Sequence, residues 1–587
     1  MTCGDFRRAR EGLATANASG KEREGMKGKS SYPLPWLGAA VRAMRSIYPM
    51  AAVLALAACG KHSSTSSDYT VGGTISGLTA SGLVLVYNGD TTLTVAAGAT
   101  SWVFAGTFAA GSSYSVTVQT QPVGELCEVT SGGSGTALTA DVDNVTVACN
   151  VFGQWTWEGG LDTVNATGVY GTQSAAATTN LPGARYNSSS WTDSSGDFWL
   201  FGGYGYASAG GLASLNDLWQ YSPSTGLWTW VSGGNAGNGS GAYGTQGIAA
   251  ASNLPGARYS ASSWKDAAGN LWLFGGYGYD STGAVGALND LWQFSPSSGE
   301  WTWVSGGNAA NVSGTYGIQG GPGSATVPGA RYSASAWIDA GDLWLFGGYG
   351  YDSTGRLGSL NDLWRYSPST GLWTWISGDT AVNAGGVYGK QGASAASNVP
   401  GARQAANAWV DSSGGLWLFG GYGYDATDAV GYLNDLWRFS PSTDQWTWIN
   451  GGSADNASGV YGTQGTAAAS NVPGARQAAN TWIDSSGTVW LFGGSGYGST
   501  GGVGYLNDLW RYSLSSGQWT WVSGGNGANA VGIYGTQGTV SASTVPGARQ
   551  ASNSWIDSSG YLWLFGGAGY GSADNGYLND LWQFVPP

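Results

Sequence analysis

The sequence predicts an all-β chain whose larger part is a closed ring of six repeated four-stranded units, with a small β-sandwich ahead of it. Three observations predict this. The 587 residues include 102 Gly, 32 Trp and 31 Tyr but only 10% charged residues, a composition of short strands and tight turns, too aromatic for disorder. The pentapeptide Leu-Asn-Asp-Leu-Trp, first at Leu215–Trp219, occurs six times. The last copy ends without the Trp-Thr-Trp that follows the other five, and an unpartnered Trp-Thr-Trp stands at Trp155–Trp157.

Residues 1–58 read as a signal region. Arg42 and Arg45 precede an apolar run that ends at Leu56-Ala57-Ala58-Cys59 and is too short to span a bilayer. Met44 fits a signal start better than Met1, because it leaves Arg45 as a short basic leader. Leu-Ala-Ala-Cys resembles the lipobox of bacterial lipoproteins. That resemblance implies lipidation of the Cys59 thiol, cleavage before it, and a Ser-rich tether over 59–68. It also implies an exported protein at the outer membrane or cell surface, touching the membrane only through its lipid anchor.

Residues 69–150 alternate β-branched and polar positions between Gly, Asn and Asp, as in "GLVLVYNG", "SYSVTVQT" and "NVTVAC". This is the pattern of a small β-sandwich. Cys127 and Cys149 remain once Cys3 and Cys59 are set aside, and in an exported chain a disulfide is expected between them. The run from Gln121-Pro122 to Cys127, closed by Cys149, resembles small immunoglobulin-like modules of bacterial exported proteins. Such modules are spacers, so a stalk is expected.

From residue 151 to 587 the chain repeats. The arginines of Pro-Gly-Ala-Arg fall at 185, 258, 331, 403, 476 and 549, at intervals of 73, 73, 72, 73 and 73. A fixed long period signals a solenoid or a propeller. Each repeat carries four strand-like runs, shown by the second: "YSASSW" (A), "LWLFGG" (B), "NDLWQF" (C) and "WTWVSG" (D). Four antiparallel strands make a propeller blade. The front Trp-Thr-Trp supplies strand D of blade six, which closes the ring and removes its open edges. Thirty tryptophans lie in this region, five per blade, and large indoles suit packing between blades. Arg opening strand A, Gly-Gly ending B and Trp in D resemble the kelch repeat, so the whole is expected to be a six-bladed kelch-like β-propeller.

Charge and composition narrow the function. Residues 151–587 carry 12 Lys+Arg against 25 Asp+Glu, which excludes a nucleic-acid interface built on clustered cations. The one histidine is His62, in the tether, so histidine-based copper or zinc sites and a Ser-His-Asp triad cannot be assembled in the propeller. "TDSSGDFW" at Thr192–Trp199 is superficially similar to a sialidase Asp-box, but its spacing is one residue too long and it reads as a hairpin turn. No catalytic residue, cofactor or metal is expected, beyond weak Ca²⁺ binding.

The A-to-B and C-to-D turns are tight, whereas B-to-C connections run to about a dozen residues and D-to-A connections are longer. Both long sets leave one face, and loops on a rigid scaffold are where binding resides. Candidate ligand contacts there are the Tyr-Gly-Tyr pairs Tyr204/Tyr206, Tyr277/Tyr279, Tyr349/Tyr351 and Tyr422/Tyr424. Asp280, Asp352 and Asp425 follow three of the pairs directly. Tyrosine among small polar residues suits adaptable recognition and stacking on sugar faces. A second set, Tyr170, Tyr243, Tyr316, Tyr388, Tyr461 and Tyr534 in the D-to-A loops, either packs those loops or joins the surface. The expected activity is non-catalytic binding of an extracellular or envelope protein, with a glycan as the alternative ligand and a carbohydrate-active enzyme, working through paired carboxylates, as the more remote alternative.

Overall fold

A computed structural model describes residues 68–586, apart from 123–124, 152 and 542. The signal region, Met44, Cys59 and all but the end of the tether lie outside the described residues. Those described form strands and turns with no helix among them.

Residues 68–151 form two four-stranded sheets over one core. The first runs in the order Ser101–Val103, Val71–Ser76, Val142–Val151, Glu125–Ser131; the second in the order Thr91–Thr94, Val84–Tyr87, Tyr114–Thr120, Ser134–Gly135. Alternate apolar residues of both, among them Val71, Leu85, Val116 and Val147, face inward and are buried. Cys127 and Cys149 stand directly opposite in adjacent antiparallel strands and are disulfide-bonded. Val71–Ser76 is not among the strand-like runs quoted above, because Gly72 and Gly73 break its alternation. A Cβ on Gly73 would lie 1.7 Å from the Val145 carbonyl oxygen, so glycine is what lets these two strands approach.

The remainder forms six antiparallel sheets of the expected kind. In blade two, strand A comprises Arg258–Tyr259 and Ser262–Lys265, B is Leu271–Tyr279, C is Val285–Ser295 and D is Glu300–Ser305. In blade six, strand D is Trp155–Gly159, which pairs with Asn575–Phe584 in a register that sets Trp155 against Phe584. Six apolar clusters lie between neighbouring blades. One joins Trp191, Trp199 and Phe201 of blade one to Leu273, Trp292 and Trp301 of blade two. Indole N–H groups tie blades together as well, as where Trp264 donates to the Trp344 carbonyl at 3.2 Å.

Two features depart from the sequence reading. Strand A is broken in every blade by a residue with left-handed backbone: Asn187, Ser260, Ser333, Ala405, Ala478 and Ala551, with φ between 52° and 55°. Each donates its N–H to the carbonyl of its counterpart in the preceding blade at 2.8–2.9 Å, and Asn187 closes the cycle on Ala551. A ring of six hydrogen bonds thus surrounds the axis and binds the inner edges of all the sheets. The second departure concerns Gly-Gly. Gly275 and Gly276, at φ 64° and 96°, do not end strand B; Gly275 faces a bulge at Asn289 and Asp290 of strand C, beyond which B and C stay paired as far as Tyr279 and Val285. Asp280–Ala284 alone is turn, so most of the supposed B-to-C loop is sheet.

Candidate ligand-binding mouth

The repeated arginine and aspartate form a buried centre in each blade. In blade two, Arg258 Nη1 and Nη2 donate to the Asp290 oxygens at 2.6 and 2.7 Å, and Nε and Nη1 also reach the Gly256 and Gly275 carbonyls, both at 2.9 Å. Asp290 Oδ2 further accepts from Tyr243 Oη at 2.6 Å and Trp292 Nε1 at 2.7 Å. Burial, with the Asp290 charge added, pushes the Tyr243 phenol far above its usual range. The same arrangement recurs in all six blades. The second tyrosine set is therefore structural: Tyr170, Tyr243, Tyr316, Tyr388, Tyr461 and Tyr534 are 5–6% exposed and fasten each D-to-A loop to strand C.

The aspartate candidates also turn inward. Asp280, Asp352 and Asp425 are 0–3% exposed. Asp280 Oδ1 accepts from Thr282 N and Oγ1 at 2.8 Å and Ala284 N at 2.9 Å, and Oδ2 from Ala310 N at 3.0 Å. Asp352 and Asp425 repeat the pattern. Burial raises these carboxyls, and the hydrogen bonds outweigh it and hold them below the usual range. They brace the B-to-C turns, which corrects the expectation that they face a ligand or Ca²⁺. In the same way Asp193 caps the hairpin of "TDSSGDFW", accepting from Trp199 Nε1 at 2.8 Å.

The Tyr-Gly-Tyr residues are half-buried at the long-loop end of the sheets. Tyr206, Tyr279, Tyr351 and Tyr424 stand opposite Leu212, Val285, Leu357 and Val430, aliphatic residues that are 44–47% exposed. Tyr204, Tyr277, Tyr349 and Tyr422, two residues further from the turn, stand in rows that cross strands A, B and C on one face. The rows read Tyr186–Tyr204–Ser214, Tyr259–Tyr277–Ala287 and Tyr332–Tyr349–Ser359 in blades one to three. In blades four to six they read Gln404–Tyr422–Tyr432, Gln477–Ser495–Tyr505 and Gln550–Ala568–Tyr577. Tyrosine on strand A goes with a small residue on strand C, and glutamine on A with tyrosine on C.

Sequence reasoning missed Tyr186, Tyr259, Tyr332, Tyr432, Tyr505 and Tyr577. Their signal was the exchange itself, variation at matched positions of near-identical repeats. The rings pack across blades, Tyr204 on Tyr259 at 5.4 Å and Tyr277 on Tyr332 at 5.5 Å. Burial, then neighbouring tyrosines, pushes the Tyr259 and Tyr332 phenols up to about 12, so both are neutral donors at physiological pH. Below the rows, a cavity of about 180 Å³ on the axis is lined by Asn187, Ser260, Ala334, Ala406, Ala479 and their neighbours.

Residues 243–459 match the family model described as the KLHDC2/KLHL20/DRC7 Kelch-repeats domain. No curated protein matches the chain. The repeated antiparallel sheets and this match agree with the sequence resemblance and fit a kelch β-propeller.

Proposed function

We propose that the chain is a non-catalytic binding protein, carried to the bacterial envelope by a lipid on Cys59, whose propeller takes a protein partner on its long-loop face. Kelch-repeat domains are generally non-catalytic scaffolds for protein interaction, which supports the partner class. The observation that carries the site is the tyrosine-lined mouth, where half-buried aromatic rings stand on rigid strands. Such rings give large contact area at small entropic cost. The anchor is supported by Leu-Ala-Ala-Cys at 56–59 and by the tether after it.

A photo-crosslinking residue at Tyr279 on intact cells tests the reading. One defined adduct, absent when the crosslinker sits in the opposite-face hairpin at Ala268, is expected; equal or no labelling from the two positions refutes it. Incorporation of labelled fatty acid, lost in Cys59→Ser, tests the anchor. A second reading, glycan binding, is favoured by the absence of any charged residue from the eighteen row positions.

A further inference from the structure

We propose that the mouth binds one neutral oligosaccharide per propeller, in a single orientation, with sugar faces resting on a tyrosine crescent that crosses blades six, one, two and three. The proposal rests on the second reading above and deepens it.

Four observations carry it. The first is continuity. Tyr577 stacks on Tyr186 at 5.2 Å with the planes 2° apart, and ring contacts pass on through Tyr259, Tyr277 and Tyr332 to Tyr349, each step between 5.5 and 6.3 Å. In blades four to six the contacts fall into two separate groups, Tyr422–Tyr432–Tyr497 and Tyr505–Tyr570. The second is asymmetry. Six near-identical blades predict six equivalent sites, yet the exchange of tyrosine and glutamine between strands divides the mouth into unlike halves. A ligand that crosses it meets aromatic faces on one side and carboxamides on the other.

The third is the kind of group on offer. The inner sheet edges are closed by the ring of six N–H···O bonds, so no free edge there can receive a peptide as an added strand. What remains is aromatic faces, hydroxyls and carboxamides without charge, within a region that carries a net negative charge. A neutral polyhydroxylated ligand satisfies that set: its C–H faces lie on tyrosine, and its hydroxyls both give and accept hydrogen bonds. The fourth is an acceptor without a partner. Gln550 Oε1, in the row that holds Tyr577 at the end of the crescent, is buried with no hydrogen-bond donor, and turning this half-buried side chain outward would give the oxygen a ligand hydroxyl as its partner.

The test is calorimetric titration of the purified full-length protein with neutral hexasaccharides of glucose, galactose, mannose and N-acetylglucosamine. The expected result is binding of at least one at one molecule per chain. Tyr259→Gln with Ala287→Tyr rewrites the blade-two row as the Gln–Tyr–Tyr that blade four already carries, so the fold has a precedent within the chain. This pair is expected to leave the melting temperature unchanged and weaken binding at least tenfold, about 1.4 kcal/mol. Ala268→Gln, in the exposed hairpin on the opposite face, is expected to change affinity less than threefold. Two or more ligands per chain, equal loss in both variants, or no binding across the panel overturns the proposal. The protein-partner reading falls separately, on the crosslinking result.

Discussion

Asp290→Asn isolates what the buried centre of a blade contributes. The carboxylate is wholly buried and accepts four hydrogen bonds of 2.6–2.7 Å. Asparagine has one acceptor oxygen, and its NH₂ must replace the other. If the NH₂ takes the Oδ2 position it meets Arg258 Nη2, Tyr243 Oη and Trp292 Nε1 together. The milder choice sets it against Arg258 Nη1 alone, donor against donor at a 2.6 Å site. In either case the guanidinium, 1% exposed, loses its counter-charge. Removing one partner of a buried pair costs about 3–5 kcal/mol, so a loss in that range is expected for the propeller transition, followed by tryptophan fluorescence in urea. Because neither partner is solvated, the loss should not change with salt. Arg258→Met with Asp290→Leu should not restore stability, since the Gly256 and Gly275 carbonyls and the Tyr243 and Trp292 donors stay buried without partners. A loss below about 1 kcal/mol for Asp290→Asn, or one that fades in high salt, would refute the reasoning.

Blade three has a shorter A-to-B hairpin, Asp339–Asp342, and its Trp344 indole N–H is buried without a partner, whereas Trp272 donates to Asp266. Inserting Ala after Ala340 restores the longer hairpin and should add about 1 kcal/mol to stability, read by urea unfolding. Replacing Cys127 and Cys149 by Ser opens a crosslink across a sequence separation of 22 and should cost about 3 kcal/mol, read as loss of the 68–151 transition with the propeller transition kept. Asp280, Asp352 and Asp425 are held below their ordinary pKa, so their contribution is complete above about pH 4 and is lost as pH falls further. Exchange of the Ala284, Arg356 and Ala429 amides should accelerate there, and Asp425→Asn should remove the dependence at Ala429 alone.

The repeat period, the four strands of each blade and the packing role of the tryptophans were legible because each follows from recurrence and burial, which one sequence carries six times. The fate of Gly-Gly was not. A glycine pair reads equally as a strand end or as a stretch of strand facing a bulge, and only the pairing beyond Gly276 decides between them. Asp280 misled for a related reason. An exposed turn aspartate and one folded under its own turn have the same neighbours in sequence, and the Ala310 amide that completes its shell is thirty residues away. The mouth was half legible. Strand B tyrosines stand in a recognisable pair, but Tyr259 and Tyr577 join them through cross-strand register and contact between blades.

The ring of bonds around the axis has a further consequence. Every N–H in it points the same way round, from each blade to the one before. Around a six-membered cycle the in-plane components of six like N–H···O bonds cancel, whereas in a helix the bonds lie parallel, add and leave partial charges at both ends. The cycle has no first donor and no last acceptor, so nothing in it is left to attract an ion or a charged end group. These six N–H groups are already paired, so what settles over the axis meets the Asn187, Ser260, Ser333 and alanine side chains that line it.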